Sequence, residues 1–106
     1  MTARKIDLSS YPLAHVVLKT GPAMYDVRAS LVELCFVPEL ELTGPRLLFA
    51  GKLADTIIAA EENLLLDEAQ WSLLNQACTM HKGFGRADVE LVRRVTEAPT
   101  IEVAEK

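Results

Sequence analysis

Hydrophobic period constrains this chain more than anything else: it is two at the start, about 3.6 through the middle and two again at the end. Lys5 to Leu8 alternates polar and apolar side chains, the pattern of a half-buried strand. Tyr11-Pro12 breaks that pattern, because proline brings no ladder donor. His15 to Lys19 reads as a second strand and Gly21-Pro22 as a turn. Met24 to Ala29 reads as the returning strand, with Tyr25, Val27 and Ala29 on one face. Ser30 followed by Glu33 matches a capping box and predicts a short helix that Pro38 ends.

Helical spacing then takes over. Thr43-Gly44-Pro45 is a start signal, with Leu47, Ala50, Ala54, Ile57 and Ile58 recurring behind it. Phe49 and Leu53 widen that stripe, so the helix is expected to be buried on more than one side. Gly51 in its interior costs about 1 kcal/mol against alanine, and close approach of a neighbouring backbone would offset that cost. Leu64-Leu65-Leu66 is too short for a helix and leads to Asp67, a cap with Gln70 three residues on. In the third helix Ala69, Leu73, Ala77 and Met80 form one face, and Trp71, Leu74, Cys78 and His81 the adjoining one. Gly83 reads as its left-handed stop, with Phe84 folding back on the last turn. A fourth helix is expected over Arg86 to Ala98, with Val89, Val92 and Val95 inside and Glu90–Arg94 and Arg93–Glu97 paired outside. Pro99 ends it, and Thr100 to Val103 alternates again. This order predicts an α+β domain over residues 1–106: an N-terminal β-hairpin or meander, about four short helices and a C-terminal strand.

Composition narrows the function classes. Of 106 residues half are apolar and a quarter charged, with a net charge of -4. That is ordinary globular composition, and the negative balance opposes bulk attraction to nucleic acid. No run approaches the ~18 apolar residues of a membrane span. Met1 to Ser10 has no signal-peptide apolar stretch, so the expected location is the cytosol. The charge is uneven. Residues 1–32 hold four basic and two acidic side chains, residues 33–68 two and eight, and residues 69–106 five of each. An acidic middle meeting the basic start of a second copy would steer self-association.

Catalytic and ligand signatures are sparse. Cys78 and His81 stand three apart on a helix, and His15 and Cys35 would complete a four-ligand set. No Cys-x-x-Cys pair accompanies them, and both cysteines fall in apolar stripes, so neither a metal nor any other cofactor is expected. There is no nucleophile elbow, and Ser9, Ser10, Ser30 and Ser72 have turn, cap or helix-surface explanations. Gly83-Phe84-Gly85-Arg86 matches neither a Walker loop nor a dinucleotide fingerprint. The expectation is a protein that is not an enzyme.

Two binding readings are left. Segment 68–98 has the outline of a helix-turn-helix, with a basic cluster of Lys82, Arg86, Arg93 and Arg94. Asp88, Glu90 and Glu97 on the would-be recognition helix oppose phosphate, so DNA binding is the alternative rather than the main expectation. The main one is protein contact and self-association, through apolar surface at Leu64, Leu65, Leu66, Trp71 and Phe84, with Phe36-Val37 also exposed in outline.

Three stretches of the C-terminal third carry a resemblance: Leu64 to Trp71, Gly83-Phe-Gly-Arg-Ala-Asp-Val-Glu-Leu-Val-Arg-Arg-Val, and Ala98-Pro-Thr-Ile-Glu-Val. Together with Val27-Arg-Ala-Ser-Leu-Val-Glu-Leu they resemble small bacteriophage and prophage proteins. The resemblance implies an accessory or virion-assembly role for an oligomer, in the host cytosol or the virion. It brings no functional residue with it.

Overall fold

The structure, a computed structural model, describes residues 2–18 and 21–103, with side chains throughout except at 14–18, 21 and 22. Its strands are β1 (Thr2–Asp7), β2 (Tyr11–Leu18), β3 (Gly21–Tyr25), β4 (Asn63–Leu66) and β5 (Thr100–Glu102). Its helices are α1 (Val27–Leu34), α2 (Gly44–Ala59), α3 (Glu68–Met80) and α4 (Val89–Thr96), with single 3-10 turns at Pro38–Leu40 and Arg86–Asp88. The class is α+β, as the order of periods implied.

β1 is the centre of an antiparallel sheet ordered β4-β1-β5, with Ile6 opposite Leu64 and Arg4 opposite both Leu66 and Thr100. The apolar triplet after Asn63 is therefore a strand, in which Leu64 and Leu66 point into the core and Leu65 points out. Burying each of the two inward leucines contributes about 2 kcal/mol. β2 and β3 form a separate hairpin with Tyr11 opposite Tyr25 and a register shift between Leu13 and Val17. Pro12 sits inside β2 rather than breaking it. A two-stranded ribbon has an open edge on each strand, where a missing donor costs nothing. Gly21 and Pro22 belong to β3. The turn itself and the side chain of His15 lie outside the described residues.

Two helix starts differ from the sequence pattern. The third strand ends at Tyr25, and Asp26 caps α1 by accepting the Ala29 amide at 3.0 Å. Ser30 falls in the first turn and donates its hydroxyl to the Asp26 carbonyl, so the Ser30–Glu33 box does not form. An aspartate one turn earlier is an equally good cap. At the other end, α3 closes on His81 in an extended conformation, and Gly83 takes its positive φ of 102° in the loop beyond. Arg86–Asp88 is a separate 3-10 turn that Asp88 ties to the Gly85 amide at 2.8 Å, leaving α4 only 8 residues long. Both purely local signals at the other two helices hold. Thr43-Gly44-Pro45 opens α2, although the Thr43 side chain makes no capping hydrogen bond, and Asp67 with Gln70 forms a complete capping box on α3.

One hydrophobic cluster joins these pieces. It runs from Ile6, Leu8, Leu64 and Leu66 on the sheet through Val27, Leu31 and Leu34 on α1. It continues through Leu53 and Ile57 of α2, Leu73 and Leu74 of α3, and Leu91 and Val95 of α4. The hairpin is fastened at its open end. Tyr11 and Tyr25 stack at 4.8 Å, and their hydroxyls donate to the Ala87 carbonyl at 2.6 Å and to Asp88 Oδ1 at 2.5 Å. No helix among the described residues is long and apolar enough to cross a membrane.

Candidate functional site

The apolar surface expected around residues 64–71 is mostly interior. Leu64 and Leu66 are fully buried, which removes them from any partner surface, and Leu65 alone between them is exposed (44%). Trp71 is half-buried: its indole Nε1–H donates to the Val95 carbonyl at 2.7 Å, and the Arg4 guanidinium lies 4.0 Å over its ring. Phe84 is half-buried as well, packed edge-on against His81 at 4.8 Å. The physical reason is β4. Once the triplet pairs with β1, alternation sends every second leucine inward.

Exposed apolar side chains are most numerous instead on α2 and just after α1, while Val89 (66%), assigned inward by its spacing, and Met24 (57%) are exposed elsewhere. Leu48 (70% exposed), Ile58 (60%), Leu47 (48%) and Phe36 (43%) share one face. Ala50, Leu53, Ala54 and Ile57 suffice to seat α2 on the core, so Leu47 and Ile58, assigned inward by their spacing, lie outside. Between α1 and α2 these residues line an open groove together with Val32, Gly51, Lys52, Ala54 and Asp55. A Cβ added to Gly51 would meet nothing within 4 Å, so no neighbouring backbone of this chain approaches it. The signal in the sequence was a helix apolar all round, in a chain too short to bury all of it.

The end of α2 shows a second feature that sequence reading missed. The Arg28 guanidinium donates to the carbonyls of Ile57 (2.7 Å), Ile58 (3.1 Å), Ala60 and Glu61 (2.7 Å), satisfying groups that a helix C-terminus leaves bare. It fixes α2 to α1 and so fixes the groove between them.

The basic cluster is dispersed. Glu90 accepts two bonds from Arg93 and one from Arg94, all within 2.9 Å, and the arginines hold its carboxyl at about 2, well below the usual range. Arg93 thus pairs back to Glu90 rather than forward to Glu97. Arg94 also donates to the carbonyls of Asp7 and Ser9 and lies 5.1 Å over the Tyr11 ring. Of these four, Lys82 and Arg86 keep exposed ammonium or guanidinium groups without an ion pair among the described residues. Residues 81–88 separate α3 from α4, longer than the three- or four-residue turn of a helix-turn-helix.

The groups considered for metal or nucleophilic chemistry do not converge. Cys35 and Cys78 are both buried, and burial raises their thiols to about 12 and about 11, so neither is a ready thiolate. His81 Nδ1 lies 3.0 Å from Glu39 Oε1, and Glu39 Oε2 accepts the Lys82 amide at 2.9 Å. Those two bonds hold the Glu39 carboxyl at about 2. Among the described residues no group of three or more His, Cys, Asp or Glu could hold a metal ion. A cleft of about 260 Å³ between α1 and the loop after α3 is lined by Tyr25, Glu33, His81, Phe84 and Asp88. Within it Tyr25 donates to Asp88, and burial, then the hydrogen bond and charge of Asp88, raise the phenol well above its ordinary value. Compared with protein-family models, curated proteins and solved structures, the chain matches none of them.

Proposed function

We propose that this protein works by binding protein rather than by catalysis, that the groove face of α1 and α2 is its contact surface, and that it self-associates there. The observation that carries this reading is the gathering of Phe36, Leu47, Leu48 and Ile58 on one exposed face. Apolar side chains scattered singly need no explanation, but a contiguous face marks an interaction site. The paired state of Glu39 with His81 and of Tyr25 with Asp88 supports a non-catalytic reading, since the groups that could move protons are occupied in holding loops. The likeness of the C-terminal third to small phage proteins supports an accessory or assembly role, in the cytosol or in a particle.

Light scattering across a concentration series, on the wild-type chain and on Leu48→Glu, tests this. The wild-type mass is expected to rise above the 11.7 kDa of one chain, while Leu48→Glu stays at one chain. A wild-type protein that stays a single chain at high micromolar concentration overturns the reading.

A further inference from the structure

The cleft between α1 and the loop after α3 presents side chains of one hydrogen-bonding sense. It holds about 260 Å³, just below the range of drug-sized ligand pockets, and it shares no lining residue with the α1–α2 groove. No lysine or arginine lines it, whereas the carboxylates of Glu33 and Asp88 do. Its other polar side chains have already given their hydrogens away. Ser30 donates to the Asp26 carbonyl at 2.9 Å, and Tyr25 donates to Asp88. Glu39, beside the cleft, is ionised and can only accept, so the hydrogen between it and His81 sits on Nδ1. A neutral His81 therefore keeps a bare lone pair on Nε2, which has no partner among the described residues. Glu33 is exposed, and its carboxylate makes no hydrogen bond or ion pair among the described residues. Leu34, Val37, Phe84 and Leu91 supply apolar surface beside these acceptors.

We propose that this cleft binds a primary ammonium group carried on a compact apolar body. An ammonium brings three donors and no acceptor, the complement of side chains that only accept. Its charge is favoured by Glu33 and Asp88, and its body covers the apolar part of the lining. A carboxylate or phosphate ligand would meet repulsion from both carboxylates and find no side-chain donor to hold it. A neutral apolar ligand of the same shape would cover the acceptors without bonding them, which costs affinity. The Tyr25–Asp88 and His81–Glu39 bonds fix the lining before any ligand arrives, so little ordering is left for binding to supply. The same chemistry describes a free amine and the lysine side chain of a partner protein, whose four-carbon stem is the apolar body.

Titration of the isotope-labelled full chain, followed by its amide chemical shifts, tests the site at about pH 8, where a primary amine is charged and an imidazole is mostly neutral. Phenethylamine is expected to move the Ser30, Gly83 and Phe84 resonances along curves that saturate in the millimolar range. Phenethyl alcohol and hydrocinnamate, similar in shape but neutral and anionic, are expected to bind at least about tenfold more weakly. Glu33→Gln keeps the shape of an exposed side chain, removes its charge, and is expected to weaken amine binding about fivefold. A capped tripeptide with a central lysine separates the two sources. Tighter binding than that of phenethylamine assigns the cleft to a partner's lysine, and weaker binding assigns it to a free amine. Shifts that do not saturate, an alcohol that binds as well as the amine, or an affinity that Glu33→Gln leaves unmoved overturns the proposal. The light-scattering test of the α1–α2 face is independent of these outcomes, because the two places share no lining residue.

Discussion

Arg28 donates to more backbone carbonyls than any other side chain among the hydrogen bonds of the described residues. Its guanidinium reaches four carbonyls at and beyond the end of α2, from a position on α1 about thirty residues earlier. Bare carbonyls at a helix C-terminus carry partial negative charge, and a planar cation with five donors suits several of them at once. Arg28→Ala is expected to lower stability by about 2–3 kcal/mol, with Arg28→Lys recovering less than half of the loss because an ammonium cannot span the same fan of acceptors. Urea denaturation monitored by Trp71 fluorescence measures both. An alanine variant within 0.5 kcal/mol of wild type would mean that water replaces the guanidinium. Nothing in the sequence marked Arg28, because its partners are backbone atoms of another helix and leave no pattern beside it. Asp67 and Gln70 were legible for the opposite reason: donor and acceptor lie three residues apart, so spacing alone specifies the bonds.

At the scale of elements, what could be read ahead depended on whether an element is defined by itself or by its neighbours. The helix starts at Thr43 and Asp67 follow from local chemistry. β4 does not, because four residues, three of them leucine, become a strand only when β1 pairs with them. That is why Leu64 and Leu66 belong to the interior and the exposed apolar face falls on α2. The same dependence explains Gly51. Inside a helix it costs about 1 kcal/mol against alanine, and no part of its own chain uses the gap. Gly51→Ala is therefore expected to stabilise the dilute, single-chain protein by about 1 kcal/mol, which for a domain of this size raises Tm by roughly 4–8 °C. The added methyl would stand in the groove, so if copies of the chain meet there, as proposed, the same substitution is expected to weaken self-association. Calorimetry on dilute samples and sedimentation on concentrated ones separate the two effects. A fall in Tm would mean that the groove is already filled by this chain.

For the molecule as a whole, two half-buried carboxylates act as ties between parts that are distant in sequence. Glu39, in the 3-10 turn after α1, holds His81 and the Lys82 amide at the end of α3. Glu90 on α4 gathers Arg93 and Arg94, and Arg94 in turn holds the carbonyls of Asp7 and Ser9 beside β1. In both carboxyls the hydrogen bonds lower the folded pKa from 4.5 to about 2. A lowered folded value means that the unfolded chain takes up protons first as acid is added. The stabilisation from each tie is thus fully present above about pH 5 and drains away as pH falls through 4.5 toward 2. Both groups are in contact with water, so screening keeps the contribution small. The double variant E39Q/E90Q is accordingly expected to be less stable than wild type at pH 7, with the gap narrowing below pH 5 and nearly closed at pH 2. Urea midpoints across that range measure it, and a gap that stays constant with pH would assign the loss to altered packing rather than to charge. Both ties lie away from the α2 face: His81 and Lys82 close the turn after α3, and Arg94 reaches the start of the hairpin. E39Q/E90Q should therefore leave the proposed self-association unchanged at pH 7, so the proposed contact surface and the acid-sensitive ties can be perturbed independently.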